Sequence, residues 1–253
     1  VAQKEIPIPA SIEAAWGLRE RSAKGPKPGL TLARIVDAGM RVASTDGLGA
    51  VSMSRVAGEL GAATMALYRH IGAKDELLAL MVDAAFKTPP DPRGPAEDWR
   101  LALSRWARSY LIVLRRHGWL VRVPISGPPI LPNQVMWFER GLSCLGGTGL
   151  TPPEQVSVLV LVNGFVRNEA ILAADLDAAA RAAGGSPDDV GAVYGVLLGR
   201  LVDAERFPAI HAILASGAFD QPGDTDTNFV FGLERILDGV EVLVRARSGS
   251  ATS

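Results

Sequence analysis

Apolar residues recur along this chain at the three- and four-residue steps of helices buried on one face, and no stretch keeps the period of two that a half-buried strand requires. From Thr31 the repeat runs through Leu32, Ile35, Val36, Gly39, Met40 and Ala43, and "TDGLGAV" closes it with the glycines a chain reversal needs. Ser52 then stands at an N-cap position ahead of Val56, Ala57 and Leu60, the inward face of a short second helix that Gly61 ends. Residues 64–70 form a third helix. A fourth begins at Lys74–Asp75, with its acidic residues in the first turn where the helix dipole favours them, and runs to Phe86.

The flanks complete an all-α pattern. Residues 1–29 read as an extended arm with a short helix around Ser11–Leu18. "KTPPDPRGP", 87–95, is a proline-dense connection and the expected domain boundary. Beyond it, residues 98–117 place Trp99, Leu103, Trp106, Tyr110 and Val113 on one stripe, and helices at 132–145 and 153–183 each open with proline in the first turn. "AGGSPDD" interrupts the series before helices at 190–205, 208–216 and 227–247. The expected organisation is a flexible basic arm (1–29), a helix-turn-helix head (30–87) and a larger helical domain (88–253).

Charge sharpens this division. Between Arg19 and Lys74, nine cations face four carboxylates, a net of +5, which leaves −6 for the rest of a chain whose total is −1. A basic front on an acidic body suits a polyanion-binding module joined to something else. The single cysteine, Cys144, excludes an intramolecular disulfide and a Cys-rich zinc site, and His70, His117 and His211 show no metal-ligand spacing, so no metal or cofactor is expected. No run of ~18 uninterrupted apolar residues is present, and the first 29 residues lack a leader's apolar core, so a cytoplasmic protein without a membrane partner is expected.

The chemistry concentrates in "TMALYRHIGAKDELL", 64–78. Two short helices joined by a glycine turn make a helix-turn-helix, with Ala57, Gly61 and Leu67 small or apolar at the crossing. The outer face of the third helix then carries Thr64, Met65, Ala66, Tyr68, Arg69 and His70: short residues for close approach to a major groove, longer donors for bases and phosphates. Singly, each is also what an exposed amphipathic helix carries. The set behind a glycine turn points to DNA.

"VSMSRVAGELGAATMALYRHIGAKDELLALM" closely resembles the DNA-binding motif of the tetracycline-repressor (TetR) family, through Ser52, Val56-Ala57, Leu60-Gly61-Ala62, Leu67-Tyr68-Arg69-His70-Ile71 and Lys74, over about Thr31–Phe86. "FVFGLERILDGVEVL", 229–243, resembles the last helix of the tetracycline-repressor branch. The resemblance implies base reading by Thr64, Met65, Ala66 and Arg69, with Met53 and Ser54 at the edge, and phosphate contacts from Ser52, Tyr68, His70 and Lys74. Ala63 stands where many members start the reading helix with serine, so Thr64 is a candidate cap in its place. Ser54 replaces a base-reading arginine of some relatives, so no operator sequence transfers.

In the larger domain, Trp106, Tyr110, Trp137 and Phe138 with Asn163 and Arg167 are candidate lining for an effector pocket. Aromatic stripes at this spacing are otherwise core, but polar groups inside the apolar "SVLVLVNGFVRNEAILAA" need partners. The resemblance implies such a pocket, together with a homodimer built on helices 153–175 and 227–247 and a near-palindromic double-stranded operator. The expected function is a repressor released by a bulky, largely apolar small-molecule effector. A helical enzyme or a carrier without DNA binding is the alternative, and His117, Cys144 and His211 form no recognisable catalytic arrangement for the former.

Overall fold

A computed structural model of the 253-residue chain describes residues 8–18, 30–125, 127–186, 190–219 and 225–250, and every regular element among them is helical. Helices α1 (Ala10–Ala15), α2 (Leu32–Asp46), α3 (Met53–Glu59), α4 (Thr64–Leu67) and α5 (Lys74–Ala85) lead, followed by α6 (Trp99–Arg116), α7 (Pro132–Cys144), α8 (Pro152–Ala182), α9 (Val190–Leu201), α10 (Pro208–Ala215) and α11 (Thr225–Ser250). Short 3-10 helices lie at Leu48–Ala50 and Gly118–Arg122.

Two helices stop earlier than periodicity predicts. After α4, the amides of His70 and Ile71 both bond the Leu67 carbonyl, a tightened turn in place of further helix. After α9, the Asp203 carboxylate accepts from the Arg206 amide at 2.7 Å, the side-chain-to-backbone bond by which aspartate reverses a chain.

The chain divides into two compact units, residues 1–159 and 160–253, with the division inside α8. In the first, α2 buries Ile35, Val36, Ala38, Val42 and Ala43 and packs against α5. Gly39 makes that approach possible: a Cβ there would lie 2.7 Å from the Met81 sulfur. The proline-rich 87–95 connection does not separate the head from α6 and α7. Bonds cross it: the Asp83 carboxylate on α5 accepts from the Asn133 side-chain amide at 2.8 Å and the Gln134 backbone amide at 2.9 Å, and the Trp137 indole donates to the Phe86 carbonyl at 2.7 Å.

In the second unit, Phe165 of α8 stacks on Phe229 of α11 with centroids 5.6 Å apart, beside buried Val162, Val166, Leu233 and Leu237. The buried seam of α11 is thus Phe229, Leu233, Leu237 and Val240, while Ile236 and Leu243 are only partly covered. Neither α9 nor α10 buries a residue. By length and composition α8 is able to cross a membrane, although Asn163, Arg167, Asn168 and Glu169 interrupt its apolar run.

Candidate functional site

The helix-turn-helix is built from local signals. Ser52 caps α3, its hydroxyl accepting from the Arg55 amide at 3.1 Å. At the other end the Ala62 amide bonds the Ala57 carbonyl and the Gly61 amide bonds Gly58, the paired closure of a helix through a left-handed residue. Gly61 supplies that residue at φ +62°, where a Cβ would be strained. The chain re-enters helix at Thr64, and Leu67 and Ile71 plug the core beneath α4.

What remains outside is the candidate interface. Met65 is 71% exposed; Tyr68, Arg69, His70 and Lys74 are exposed, as is Ser54, while Ser52, Thr64 and Ala66 are half-buried. Two expectations need correction. Met53 is 6% exposed and belongs to the core, because it shares the inward face of α3 with Val56 and Ala57, three and four residues on. That spacing is legible in the sequence. Thr64 does not cap α4; Ala63 is the cap residue and offers no side-chain bond, so the Thr64 hydroxyl is not spent on the helix end. Arg55, exposed on α3, is engaged by Asp46 at 2.9 Å and Glu59 at 3.3 Å, and the Asp46 hydrogen bond chiefly raises its pKa. Its charge is answered within the head.

The arm is partly docked. Ser11 is buried and its hydroxyl donates to the Glu76 carboxylate in the first turn of α5; the Trp16 indole donates to the Ile130 carbonyl at 2.9 Å. Arg19, Arg21, Lys24 and Lys27 lie outside the described residues.

Of the residues expected to line a pocket, Trp106, Tyr110 and Trp137 come together, joined by Phe86, which periodicity alone did not single out. Tyr110 stacks between Phe86 at 5.1 Å and Trp106 at 5.4 Å, and Trp137 meets all three edge-on. Both indole N–H groups are satisfied: Trp106 donates to the Trp137 carbonyl at 3.0 Å and Trp137 to the Phe86 carbonyl at 2.7 Å. Phe138 is half-buried on α7. Asn163 and Arg167, half-buried on α8, belong to the second unit. Two buried donors in the first unit, the indole N–H of Trp119 and Nε of Arg140, have no hydrogen-bond partner among the described residues. Burial lowers the pKa of His117, close beside Trp119, favouring its neutral form.

Comparison with known proteins places these features. A family model described as bacterial regulatory proteins, tetR family, matches residues 35–81, and one described as tetracyclin repressor-like, C-terminal domain, matches residues 91–244. The chain is 37% identical over 245 residues to the HTH-type transcriptional repressor DrrR1 of Streptomyces coeruleorubidus, covering 96% of this chain and 89% of that one. It also resembles crystal structures of the TetR family protein ActR of Streptomyces coelicolor. One, in complex with (S)-DNPA, matches at 27% identity and a TM-score of 0.71 over 85% of this chain and 99% of that one. Another, in complex with actinorhodin, matches at 28% identity and a TM-score of 0.70 over 84% and 96%.

Proposed function

The chain belongs to the TetR family of DNA-binding transcriptional regulators, and from that premise we propose that it is a cytoplasmic repressor that binds a near-palindromic operator as a homodimer and leaves it when a bulky, largely apolar small molecule binds. The observation that carries the DNA side of this reading is the outward face of residues 64–74. Apolar plugs Leu67 and Ile71 are buried while Met65, Tyr68, Arg69, His70 and Lys74 stay exposed. Thr64, Met65, Ala66 and Arg69 address base edges, and Ser52, Tyr68, His70 and Lys74 address phosphates. Two-fold symmetry in the protein then requires it in the operator, one reading helix to each half-site.

The effector side rests on the relatives and on two buried donors. ActR is seen with actinorhodin, and Trp119 and Arg140 hold N–H groups that a ligand's polar atoms would satisfy. The aromatic cluster around Trp106, Tyr110 and Trp137 supplies apolar area within the same unit as those donors.

The test uses a duplex selected from random sequence by the protein itself. Lys74→Ala should weaken all sequences alike and reduce the slope of log affinity against log salt by about one unit. Arg69→Ala should relax preference at one or two base pairs, at about 1–3 kcal/mol. If neither change alters binding, the assigned face is wrong. Titration of the complex with actinorhodin tests release.

A further inference from the structure

The turn that closes the reading segment is held by a side chain. Leu67 and Ile71 are buried beneath α4, and the chain then passes through Gly72 and Ala73 into α5, whose cap residue Ala73 offers no side-chain bond. Glu76, the third residue of α5, reaches back instead, and one of its carboxylate oxygens accepts from the Gly72 amide. A glutamate at this helical position ordinarily returns to the amide of the cap residue itself. Here it takes the amide one residue earlier, and so fixes the exit of the segment that carries Tyr68, Arg69 and His70. Glycine leaves room for it: a Cβ at position 72 would lie 3.0 Å from that oxygen.

The other carboxylate oxygen is held from 65 residues away. Ser11 of α1 is only 1% exposed, and its hydroxyl donates to Glu76. A buried hydroxyl is costly without an acceptor, and a carboxylate is a stronger one than a neutral oxygen. With six residues, α1 is far too short to persist as an isolated helix, so tertiary anchors must hold it. Trp16, directly after α1, supplies the second anchor by donating its indole N–H to the Ile130 carbonyl at 2.9 Å. Between the two, Ser11 is kept against Glu76. α1 lies ahead of residues 35–81, the part that matches the family model, so this contact is an addition to the shared head.

We propose, on the DNA-binding reading above, that α1 braces the reading head. By holding the Glu76 carboxylate, Ser11 fixes the turn at Gly72 and with it the orientation of residues 64–70 towards base edges. Ser11 and Glu76 are positioning residues for base discrimination and touch no DNA themselves. A reading segment set at the wrong angle loses base contacts before phosphate contacts. Base edges demand a defined geometry, whereas long cationic side chains reach phosphates from many positions. The brace therefore acts on sequence preference and leaves the electrostatic part of binding in place.

The intact chain is tested first without DNA. Amide hydrogen exchange at Gly72 should quicken in Ser11→Ala, and in Trp16→Phe, which keeps an aromatic ring and loses the N–H. The expected change is about threefold or more, the low end of what one hydrogen bond contributes. With DNA, discrimination is the ratio of affinities for the duplex that the wild-type protein selects from random sequence and for a scrambled duplex. Both variants should lower that ratio by about fivefold or more, the low end of what one lost base contact costs. The slope of log affinity against log salt should stay that of wild type. A change that only destabilised the fold would leave the ratio alone, because it removes folded protein from both duplexes alike. Glu76→Ala should act as Ser11→Ala does, and the double variant should be no worse than Glu76→Ala. Glu76→Gln should restore discrimination, its oxygen accepting from Gly72 and its amide donating to Ser11. Should circular dichroism find Glu76→Ala unfolded, the two α1 variants decide alone. Wild-type discrimination in Ser11→Ala, or a changed salt slope, would overturn the brace. Failure to select any duplex would sink the DNA-binding reading instead, and the exchange measurement separates that outcome from a failure of α1 to hold the turn.

Discussion

In residues 1–159 an aromatic core faces inward and buried polar bonds hold it: Trp106, Trp119 and Trp137 are almost fully covered, and Asp83, Trp106 and Trp137 each bond across elements. In residues 160–253 the composition is as apolar but the arrangement differs. Leu161, Val193, Tyr194, Val196, Leu197, Leu201, Phe231 and Val242 are half exposed or more, and the ion pairs Arg235–Asp238 and Arg245–Glu241 are surface pairs within one helix, worth little. Exposed apolar side chains also occur in the first unit, but Leu101 and Ile112, for example, lie three turns apart on α6. Equal hydrophobicity thus serves two ends. One unit closes its own core; the other keeps apolar surface of the kind that protein partners cover, and a second copy of the chain is the partner this family membership suggests.

The largest expected effect would test the closed unit. Trp137→Ala removes a buried indole, opens the aromatic cluster and leaves the Phe86 carbonyl without its donor. Urea unfolding should show a loss of about 3–5 kcal/mol. A loss under ~1 kcal/mol would mean that the first unit is not the tightly packed region described.

The contrast inside α11 comes next. Leu233 is 0% exposed and Phe231 is 64% exposed. Leu233→Glu buries a charge without a partner and should cost several kcal/mol, about 3–5 by analogy with broken buried pairs. Phe231→Glu should leave helix content intact and, if the proposed homodimer uses this face, convert it to monomer in sedimentation. A folded, dimeric Phe231→Glu would remove Phe231 from the proposed interface.

Ser52→Ala probes a single bond in the head, the cap of α3. It should lower stability by about 1 kcal/mol in thermal or urea unfolding. No measurable change would mean that solvent caps α3 equally well.

The smallest effect is the absence of a reaction. Burial pushes the Cys144 thiol up to about 11, and its side chain is almost fully covered. A disulfide exchange reagent at neutral pH should leave it unmodified in the native protein and react once urea unfolds the chain. As pH rises towards that value the thiolate forms and labelling should accelerate. Rapid labelling at neutral pH would show that the first unit opens far more often than its packing suggests.

Much of the head was legible along the chain. Ser52 caps, Gly61 turns, and Leu67 is buried where the helical repeat places them, because each depends on neighbours within a few residues. Met53 was legible too, and the family resemblance drew it to the wrong face: its spacing from Val56 and Ala57 marks the core. The arm was less legible. Its helix runs from Ala10 to Ala15, and what holds it are partners 65 and 114 residues away, Glu76 and Ile130.

The sequence by itself determined the helices, the exposed face of residues 64–74 and the family, since periodicity, capping and the motif are local properties carried by neighbouring residues. The tertiary structure alone decided that Phe86 completes the aromatic cluster, that α9 and α10 bury no residue, and that Asp83 seals the first turn of α7 from 50 residues away. Those outcomes depend on how whole helices cross, and a crossing angle is set by side chains far apart in the chain meeting at close range, which no local pattern encodes.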